Sequence, residues 1–287
     1  PAGDLGVGGR EIGYLFGQYR KLRGAYENGV LTGKARSFGG SLIRPEATGF
    51  GAVYYLESVM KHEHDTLEGK TVAVAGFGNV AWGVVQKLTE LGAKPVTLSG
   101  PDGYIYDPDG ITTKEKFDFM LEMRASGRNK VQDYADKFGC KFVAGDKPWG
   151  EKVDIIMPCA TQNDVDLTQA KRIVANNIKY YIEVANMPTT NEALRFLMDQ
   201  KNMVVAPSKA VNAGGVLVSA LEMSQNSERY SWTAEEVDAK LHGIMVDIFH
   251  KADDAAKRYG MEDNYVVGAN IAGFEKVVDA MKAQGIV

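Results

Sequence analysis

The stretch that decides the fold is T-V-A-V-A-G-F-G-N-V-A, residues 71–81. Its first five residues, 71–75, are apolar and contain β-branched side chains, which predicts a short strand that is buried on both faces. Beyond the turn, apolar side chains recur at helical spacing, and Gly92 then supplies a stop. These apolar positions are Val80, Val84, Leu88 and Leu91. The stretch therefore predicts a strand, a tight turn and a helix.

The turn between this strand and helix reads G-x-G-x-x-A, residues 76–81. Gly76 allows the tight turn, Gly78 lets the backbone approach a pyrophosphate, and Ala81 permits close packing of the helix on the strand. The phosphates would then sit at the helix N-terminus. The candidate cofactor-binding residues of this turn are Gly76, Phe77, Gly78, Asn79 and Val80. A plain tight turn and the S-adenosylmethionine pocket of a methyltransferase are the alternatives to dinucleotide binding.

Further strands and helices are predicted to alternate along the rest of the chain. Short apolar runs predict strands at 95–98, 154–157, 180–184 and 203–206. Helical patterns occupy 45–62, 233–258 and 269–282, and Thr233 followed by Glu236 forms a capping box. The alternation predicts an α/β fold with a doubly wound, Rossmann-like parallel sheet.

Two loops follow predicted strands at the edge where a doubly wound sheet presents its ligand site. They read P-C-A-T-Q-N-D at 158–164 and V-A-N-M-P at 184–188. The Asn186 amide suits the ribose or the nicotinamide of a cofactor, and the alternative is that Asn163 and Asn186 satisfy backbone groups in their own turns. The candidate cofactor contacts in these loops are Cys159, Ala160, Thr161 and Asn186.

The second strand ends in a turn that carries an acidic residue, L-S-G-P-D at 98–102. An acid at the end of this strand commonly binds the adenosine ribose of NAD. Asp102 is displaced into the turn, so that it either binds the ribose or caps the turn. No Arg or Lys lies beside it to bind a 2′-phosphate. The sequence therefore favours NAD over NADP.

Composition excludes several other classes of protein. The chain has 287 residues, of which 45% are apolar and 24% are charged, and the formal net charge is −4. These values exclude a disordered or collagen-like chain, and the length suggests about two domains. The chain has no block of like charges, which argues against nucleic acid or an anionic membrane as partner, and no apolar run reaches the ~18 residues of a membrane span. Two cysteines suit a reducing compartment, which predicts a cytoplasmic protein.

The sequence contexts of the cysteines and histidines do not indicate nucleophilic catalysis or metal binding. Cys159 is predicted to be a small buried residue and not a nucleophile, because no histidine or basic cluster lies near it in sequence. The histidines show no metal-ligand spacing and are predicted to be surface or packing residues; they are His62, His64, His242 and His250. Asp4, in a glycine-flanked opening loop, is either a turn former or a general acid/base.

Six strings of the chain together resemble the glutamate dehydrogenases, and most closely their bacterial NAD-linked, hexameric kind. The resemblance extends from Pro1 to the last residues with every motif in order. The strings are P-A-G-D-L-G-V-G (1–8), T-G-K-A-R-S-F-G-G-S (32–41), R-P-E-A-T-G (44–49), V-A-G-F-G-N-V-A (74–81), P-C-A-T-Q-N (158–163) and K-A-V-N-A-G-G-V (209–216). The resemblance implies NAD-dependent oxidative deamination of L-glutamate to 2-oxoglutarate and ammonium.

The resemblance also implies roles for individual residues. Asp4 matches the catalytic aspartate that shuttles a proton between the amino nitrogen and water. Ser219 matches a hydroxyl that contacts the side-chain carboxylate of glutamate, where leucine and valine dehydrogenases carry an apolar residue, and Arg44 is expected at the substrate. The residues implied on the cofactor side include Thr48, which would bind the carboxamide, together with Asn79, Val80, Ala160, Asn186 and Asn212. No metal is implied.

One departure from the family concerns the start of the chain. A substrate domain that supplies three lysines precedes the aspartate in the family, and no such segment stands before Pro1. We therefore expect residues 1–38 to be a remnant of that domain, 39–262 to form the NAD-binding domain, and 263–287 to be a helix that returns to the substrate domain. Loss of three charge-assisted contacts, at roughly 1.5–3 kcal/mol each, would leave the chain nearly inert toward glutamate. It would also leave the chain monomeric or weakly associated, in contrast to the hexameric family, and a stand-alone, non-catalytic NAD-binding module is the alternative function.

Overall fold

The computed structural model describes residues 1–4 and 6–285. The described residues form helices α1 Gly9–Arg23, α2 Ala47–His62, α3 Asn79–Glu90, α4 Lys114–Ala125, α5 Gln132–Phe138, α6 Leu167–Ala175, α7 Asn191–Met198, α8 Ser208–Val211, α9 Gly214–Glu228, α10 Ala234–Arg258 and α11 Tyr265–Gln284. The strands are β1 Thr71–Ala75, β2 Lys94–Gly100, β3 Gly103–Tyr106, β4 Lys141–Ala144, β5 Ile155–Pro158, β6 Tyr180–Ile182 and β7 Val204–Ala206. Among the described helices, none is long and apolar enough to cross a membrane.

The seven strands form one mixed sheet in the order β4-β3-β2-β1-β5-β6-β7. Strand β1 pairs in parallel with β2 on one side and with β5 on the other, and β6 and β7 extend the parallel part. The chain therefore leaves β1 in one direction and returns to its other side at β5, which creates a topological switch point between these two strands. This arrangement confirms the predicted α/β, doubly wound, Rossmann-like fold.

Part of the sheet was missing from the sequence-based prediction. Strand β2 turns back at Gly100 and Gly103 into β3, which pairs antiparallel with β2 and with β4. The sequence pattern predicted only a turn there and no strands at β3 and β4. Strand β4 has four residues and no fully buried side chain, so it lacks the apolar run by which buried strands are recognised.

The sheet separates two hydrophobic clusters by the alternation of side chains along its central strands. On β1, Val72 and Val74 join the cluster that α2, α3 and α10 cover. Ala73 and Ala75 point the other way, into a cluster that includes Trp149 and Tyr181. Burial of β1 on both faces explains its continuous apolar sequence.

Helices α2 and α3 cross unusually closely because glycine faces the other helix on each side. A Cβ atom on Gly49 would lie 2.4 Å from the amide nitrogen of Val84, and a Cβ on Gly83 would lie 2.7 Å from the carbonyl oxygen of Glu46. Real side chains do not tolerate such distances. The crossing therefore requires both glycines, and it brings the start of α2 to the first turns of α3.

The crossing predicts that Gly49→Ala destabilises the protein by about 1–3 kcal/mol, because the added methyl group meets the backbone of α3. Urea-induced unfolding followed by far-UV circular dichroism measures this loss. Gly17→Ala is the matched control, since Gly17 lies in helix α1 with nothing within 4 Å of its Cβ position. We expect that control to gain about 0.5–1 kcal/mol. Equal effects of the two substitutions would contradict this account of the crossing.

Candidate dinucleotide and substrate cleft

A cleft lies over the switch point, at the carboxyl ends of β1 and β5. It consists of two cavities of about 740 and 750 Å³. They are continuous with each other, because several residues line both: Asp4, Arg44, Thr48, Val80, Cys159 and Ala160. A cleft in this place is where open α/β sheets bind their ligands.

The floor of the cleft is the turn between β1 and α3. Gly76 has a φ of +88°, and a Cβ there would lie 3.2 Å from the Cα of Ala160, so only glycine fits this turn. Gly78 is the N-cap of α3; among residues 1–4 and 6–285, no side chain caps this helix and nothing lies within 4 Å of the Cβ position of Gly78. The first amides of α3 thus face open space with the positive end of the helix dipole behind them, which suits an anionic group.

The cleft also contains a guanidinium group that is hydrogen-bonded to a hydroxyl group. Arg44, just before α2, donates from Nε to the Oγ of Ser219 on α9 at 2.9 Å. Burial lowers the pKa of Arg44, and the negative charge of Glu222 opposes that shift. The guanidinium remains charged at physiological pH. Arg44 and Ser219 therefore offer a cation and a hydroxyl proton on the same wall.

Thr48 lies next to this pair and against the start of α9. A Cβ on Gly215 would lie 2.5 Å from the Thr48 Oγ1, so that α9 approaches this hydroxyl only because residue 215 is glycine. Thr48 lines both cavities.

Two asparagines from different loops meet at the edge of the second cavity. Asn212 Nδ2 donates to Asn186 Oδ1 at 2.6 Å, and Thr161 lines the same cavity. Asn186 Oδ1 thus accepts from a side chain of another loop, and both asparagines line the second cavity. Asn163, by contrast, has a φ of +56°, and its backbone amide donates to the carbonyl of Met187 in the other loop.

The structure brings Asp4 into the wall that the two cavities share. Its loop is held at its base by pairing of Ala2 with Thr32. Its carbonyl accepts the amide of Val7 at 2.8 Å. Asp4 and the start of α3 therefore line the same cavity.

Cys159 lines the cleft but is almost fully buried, as the sequence predicts. Its Sγ lies 3.3 Å from the carbonyl oxygen of Met157, and burial raises the pKa of the thiol well above its usual value. A thiol in that state is a poor nucleophile at neutral pH. Cys159 therefore shapes the cleft rather than reacting in it.

The carboxylate of Asp102 caps a segment that is distant from its own turn. Its carboxylate accepts the backbone amides of Val131 and Gln132, each at 3.0 Å, just at the start of α5. Both oxygens are thus used to hold the loop before α5 against the hairpin turn. These contacts favour the capping role, and ribose binding by Asp102 stays a prediction.

Two charged residues, Glu46 and Arg124, are among the cleft residues that were not predicted from the sequence. Glu46 and Arg124 both line the first cavity, on the side of Gly78 and Asn79. Burial raises the pKa of Glu46, whose Oε2 has no hydrogen-bond partner in the described structure, and burial lowers the pKa of Arg124. The R-P-E-A-T-G string could have indicated Glu46. Nothing local marks Arg124, because the end of α4 reaches the cleft only through the fold.

The histidines lie away from the cleft. His62 packs edge-on against Phe249 and Tyr265, which supports its interpretation as a packing residue. The structure also brings His62, Glu63 and Asp263 together, with possible ligand atoms within 4.8 Å of one another. This grouping was invisible in the sequence, because Asp263 is distant along the chain.

Comparison with known proteins finds relatives that match the whole length of this chain. The family model "Glutamate/Leucine/Phenylalanine/Valine dehydrogenase" matches residues 39–285. An NAD-specific glutamate dehydrogenase of Clostridium symbiosum is 79% identical over 286 residues, and an NAD(P)-specific one of Xylanibacter ruminicola is 55% identical over 290 residues; each match covers 100% of this chain and 64% of the relative. The chain thus spans about 64% of the length of these curated relatives.

A solved structure named glutamate dehydrogenase superposes on the fold with a TM-score of 0.99 at 78% identity. That match covers 100% of this chain and 64% of the solved chain. The family match, the sequence identities and the superposition agree with one another. The chain therefore belongs to the glutamate/leucine/phenylalanine/valine dehydrogenase family.

Proposed function

We propose that this chain provides the cofactor-binding part of an NAD-dependent dehydrogenase that converts L-glutamate and water to 2-oxoglutarate and ammonium. The observation that carries the proposal is one cleft in which the uncapped start of α3 faces Asp4 and the Arg44 and Ser219 pair. The names of the relatives support both the substrate and the cofactor. We place the protein in the cytoplasm.

The residues of the cleft fit NAD at the diphosphate. The space beside Gly78 is open, and the amides of Gly78, Asn79 and Val80 would donate to the diphosphate oxygens. When bound, the nicotinamide ring of NAD accepts the hydride that leaves the α-carbon of the amino acid. Thr48 would hold the carboxamide, and the linked pair Asn186 and Asn212 would meet the nicotinamide ribose.

The wall opposite α3 suits an anionic substrate. Arg44 supplies a fixed positive charge, and its bond to Ser219 leaves the serine O–H free to point at an incoming carboxylate oxygen. Val216 and Met223, which line the second cavity, would border the aliphatic part of the substrate. This combination favours a dicarboxylic amino acid over leucine or valine.

Asp4 would accept and donate the protons that are transferred during the reaction. Its carboxylate accepts a proton from the substrate amino group as the α-carbon loses hydride, and it then passes protons between water and nitrogen as the C=N bond is hydrolysed. Water supplies the oxygen of 2-oxoglutarate, and nitrogen leaves as ammonium. Asp4 lines both cavities, which supports a role between the proposed cofactor and substrate positions.

The domain assignment also remains part of the proposal. Residues 39–262 would form the NAD-binding domain, while 1–38 and 263–287 would belong to a substrate domain completed by further sequence. The complete enzyme would be a homohexamer, and this chain alone a monomer or a weak associate with little activity. A stand-alone, non-catalytic NAD-binding module is the competing function, and it would bind NAD without glutamate turnover.

Gly78→Val is expected to abolish NAD binding, because the branched side chain would fill the space of the diphosphate. Isothermal titration calorimetry with NAD measures the change. Gly29→Val is the matched control, since Gly29 also has nothing within 4 Å of its Cβ position and lies outside both cavities. Retained NAD affinity in Gly78→Val would place the cofactor site elsewhere.

Asp4→Asn is expected to leave the NAD dissociation constant unchanged and to lower kcat for glutamate oxidation about 10²- to 10⁴-fold, because the amide cannot accept a proton. The assay follows NADH absorbance in the protein that contains this chain in full. An altered NAD affinity, or an unaltered kcat, would remove Asp4 from its assigned role.

A further inference from the structure

A fully buried ion pair lies outside the proposed reacting groups and joins the segment before α2 to helix α9. Lys34 Nζ lies 2.7 Å from Glu222 Oε1, and both side chains are 0% exposed. Removing two charges from water is costly, and apolar residues of similar size would often stabilise a fold equally well. A contribution to stability is therefore a weak explanation for this pair, and we asked what conformation it holds.

Glu222 stabilises a turn whose backbone conformation is unfavourable unless other groups make contacts with it. The turn spans 31–34, where Leu31 has a φ of +60° and Gly33 a φ of +85°. The left-handed region disfavours leucine, and such residues persist where surrounding contacts fix them. The contacts come from both partners: Gly33 N donates to Glu222 Oε2 at 2.9 Å, and Lys34 Nζ donates to the carbonyl of Leu31.

The turn at 31–34 also contacts the base of the loop that carries Asp4. Thr32 N donates to the carbonyl of Pro1 at 2.9 Å, and Ala2 pairs with Thr32 in a parallel bridge. Asp4 follows two residues after this bridge. The contacts therefore run in sequence from Glu222 through Gly33 and Thr32 to the base of the Asp4 loop.

Glu222 also lies on the same helix as Ser219, which lines the proposed substrate side of the cleft. It lies three residues after Ser219 on α9, so that both side chains project from the same side of the helix. Ser219 accepts from Arg44, and the charge of Glu222 acts on the Arg44 guanidinium as well. One helix thus carries the groups that fix the Asp4 loop and the groups that face the substrate carboxylate.

We propose that Glu222, with Lys34 as its counter-ion, is a positioning residue that sets the place of the Asp4 loop relative to Arg44 and Ser219. It acts through the bond to Gly33 and touches neither substrate nor cofactor. The inference rests on the proposed function, because it concerns the geometry of that reaction. A displacement of about 1 Å at a reacting group can lower a rate about 10²-fold.

Two charge-neutral double variants separate positioning from stability. Lys34→Met/Glu222→Gln keeps a side-chain oxygen for the Gly33 amide, whereas Lys34→Met/Glu222→Leu removes it. In the protein that contains this chain in full, we expect kcat for glutamate oxidation to be about 10- to 100-fold lower in the leucine variant than in the glutamine variant. We expect the NAD dissociation constant to be equal in both, since the start of α3 is untouched.

A second comparison covers the case in which the leucine variant fails to fold. Lys116 is a matched residue: its Nζ lies 2.7 Å from Asp107 Oδ2 and 2.7 Å from the carbonyl of Gly110, away from the cleft. Lys34→Met is expected to lower kcat about tenfold or more. Lys116→Met is expected to lower the melting temperature but not kcat.

The outcomes distinguish this inference from the function on which it rests. Equal kcat in the leucine and glutamine variants, or equal kcat in Lys34→Met and Lys116→Met, overturns the inference and leaves the function standing, provided that the unsubstituted protein oxidises glutamate. If the unsubstituted protein forms no NADH with glutamate, the proposed function itself falls and the inference falls with it.

Discussion

The first amides of α3 and the empty space beside Gly78 are the constraint on which the rest of the molecule depends. They require a strand that ends at the switch point, a turn that only glycine can make at Gly76, and a helix without a side-chain cap. Amides at an exposed helix start are otherwise satisfied by water, and an anionic group bound there would accept from them in its place. The proposed binding of the NAD diphosphate would use this arrangement.

Helix α9 organises the other side of the cleft. Its N-terminal glycines approach α2 closely, since a Cβ on Gly214 would lie 2.1 Å from the carbonyl oxygen of Ala47. Ser219 accepts a hydrogen bond from Arg44, and Glu222 accepts one from Gly33 in the turn next to the Asp4 loop. Helices α3 and α9 both pack on α2 through close backbone contacts, at Gly83 and Gly214 respectively. Because backbone contacts are less flexible than contacts between long side chains, they would fix the proposed cofactor and substrate positions relative to each other.

The sequence predicted the elements whose signals are local and strong. Strand β1 and helix α3 carry a continuous apolar run, a glycine turn and a helical repeat, and all three agree with the structure. Helix α1 was not predicted, because it buries only Ile12 and Phe16 and contains several glycines. Strands β3 and β4 were missed for a similar reason, since four-residue strands at a sheet edge leave little pattern to detect.

The candidate site was predicted as far as its residues lie in loops that follow strands or in strings that resemble the family. Residues 76, 78–80, 159–161 and 186 reach the cleft because parallel strands end at the same edge, whereas Phe77 lines neither cavity and is buried in the hydrophobic core. Arg124 and the pair of Lys34 with Glu222 could not be predicted, because their positions depend on contacts between distant segments. The two roles left open for Asp102 could be compared only once the hairpin and α5 were in place.

The most direct test of the central claim is a crystal structure of the protein with NAD bound. The account predicts diphosphate oxygens within about 2.7–3.2 Å of the amide nitrogens that begin α3. Clear density for the diphosphate away from that helix start would contradict it.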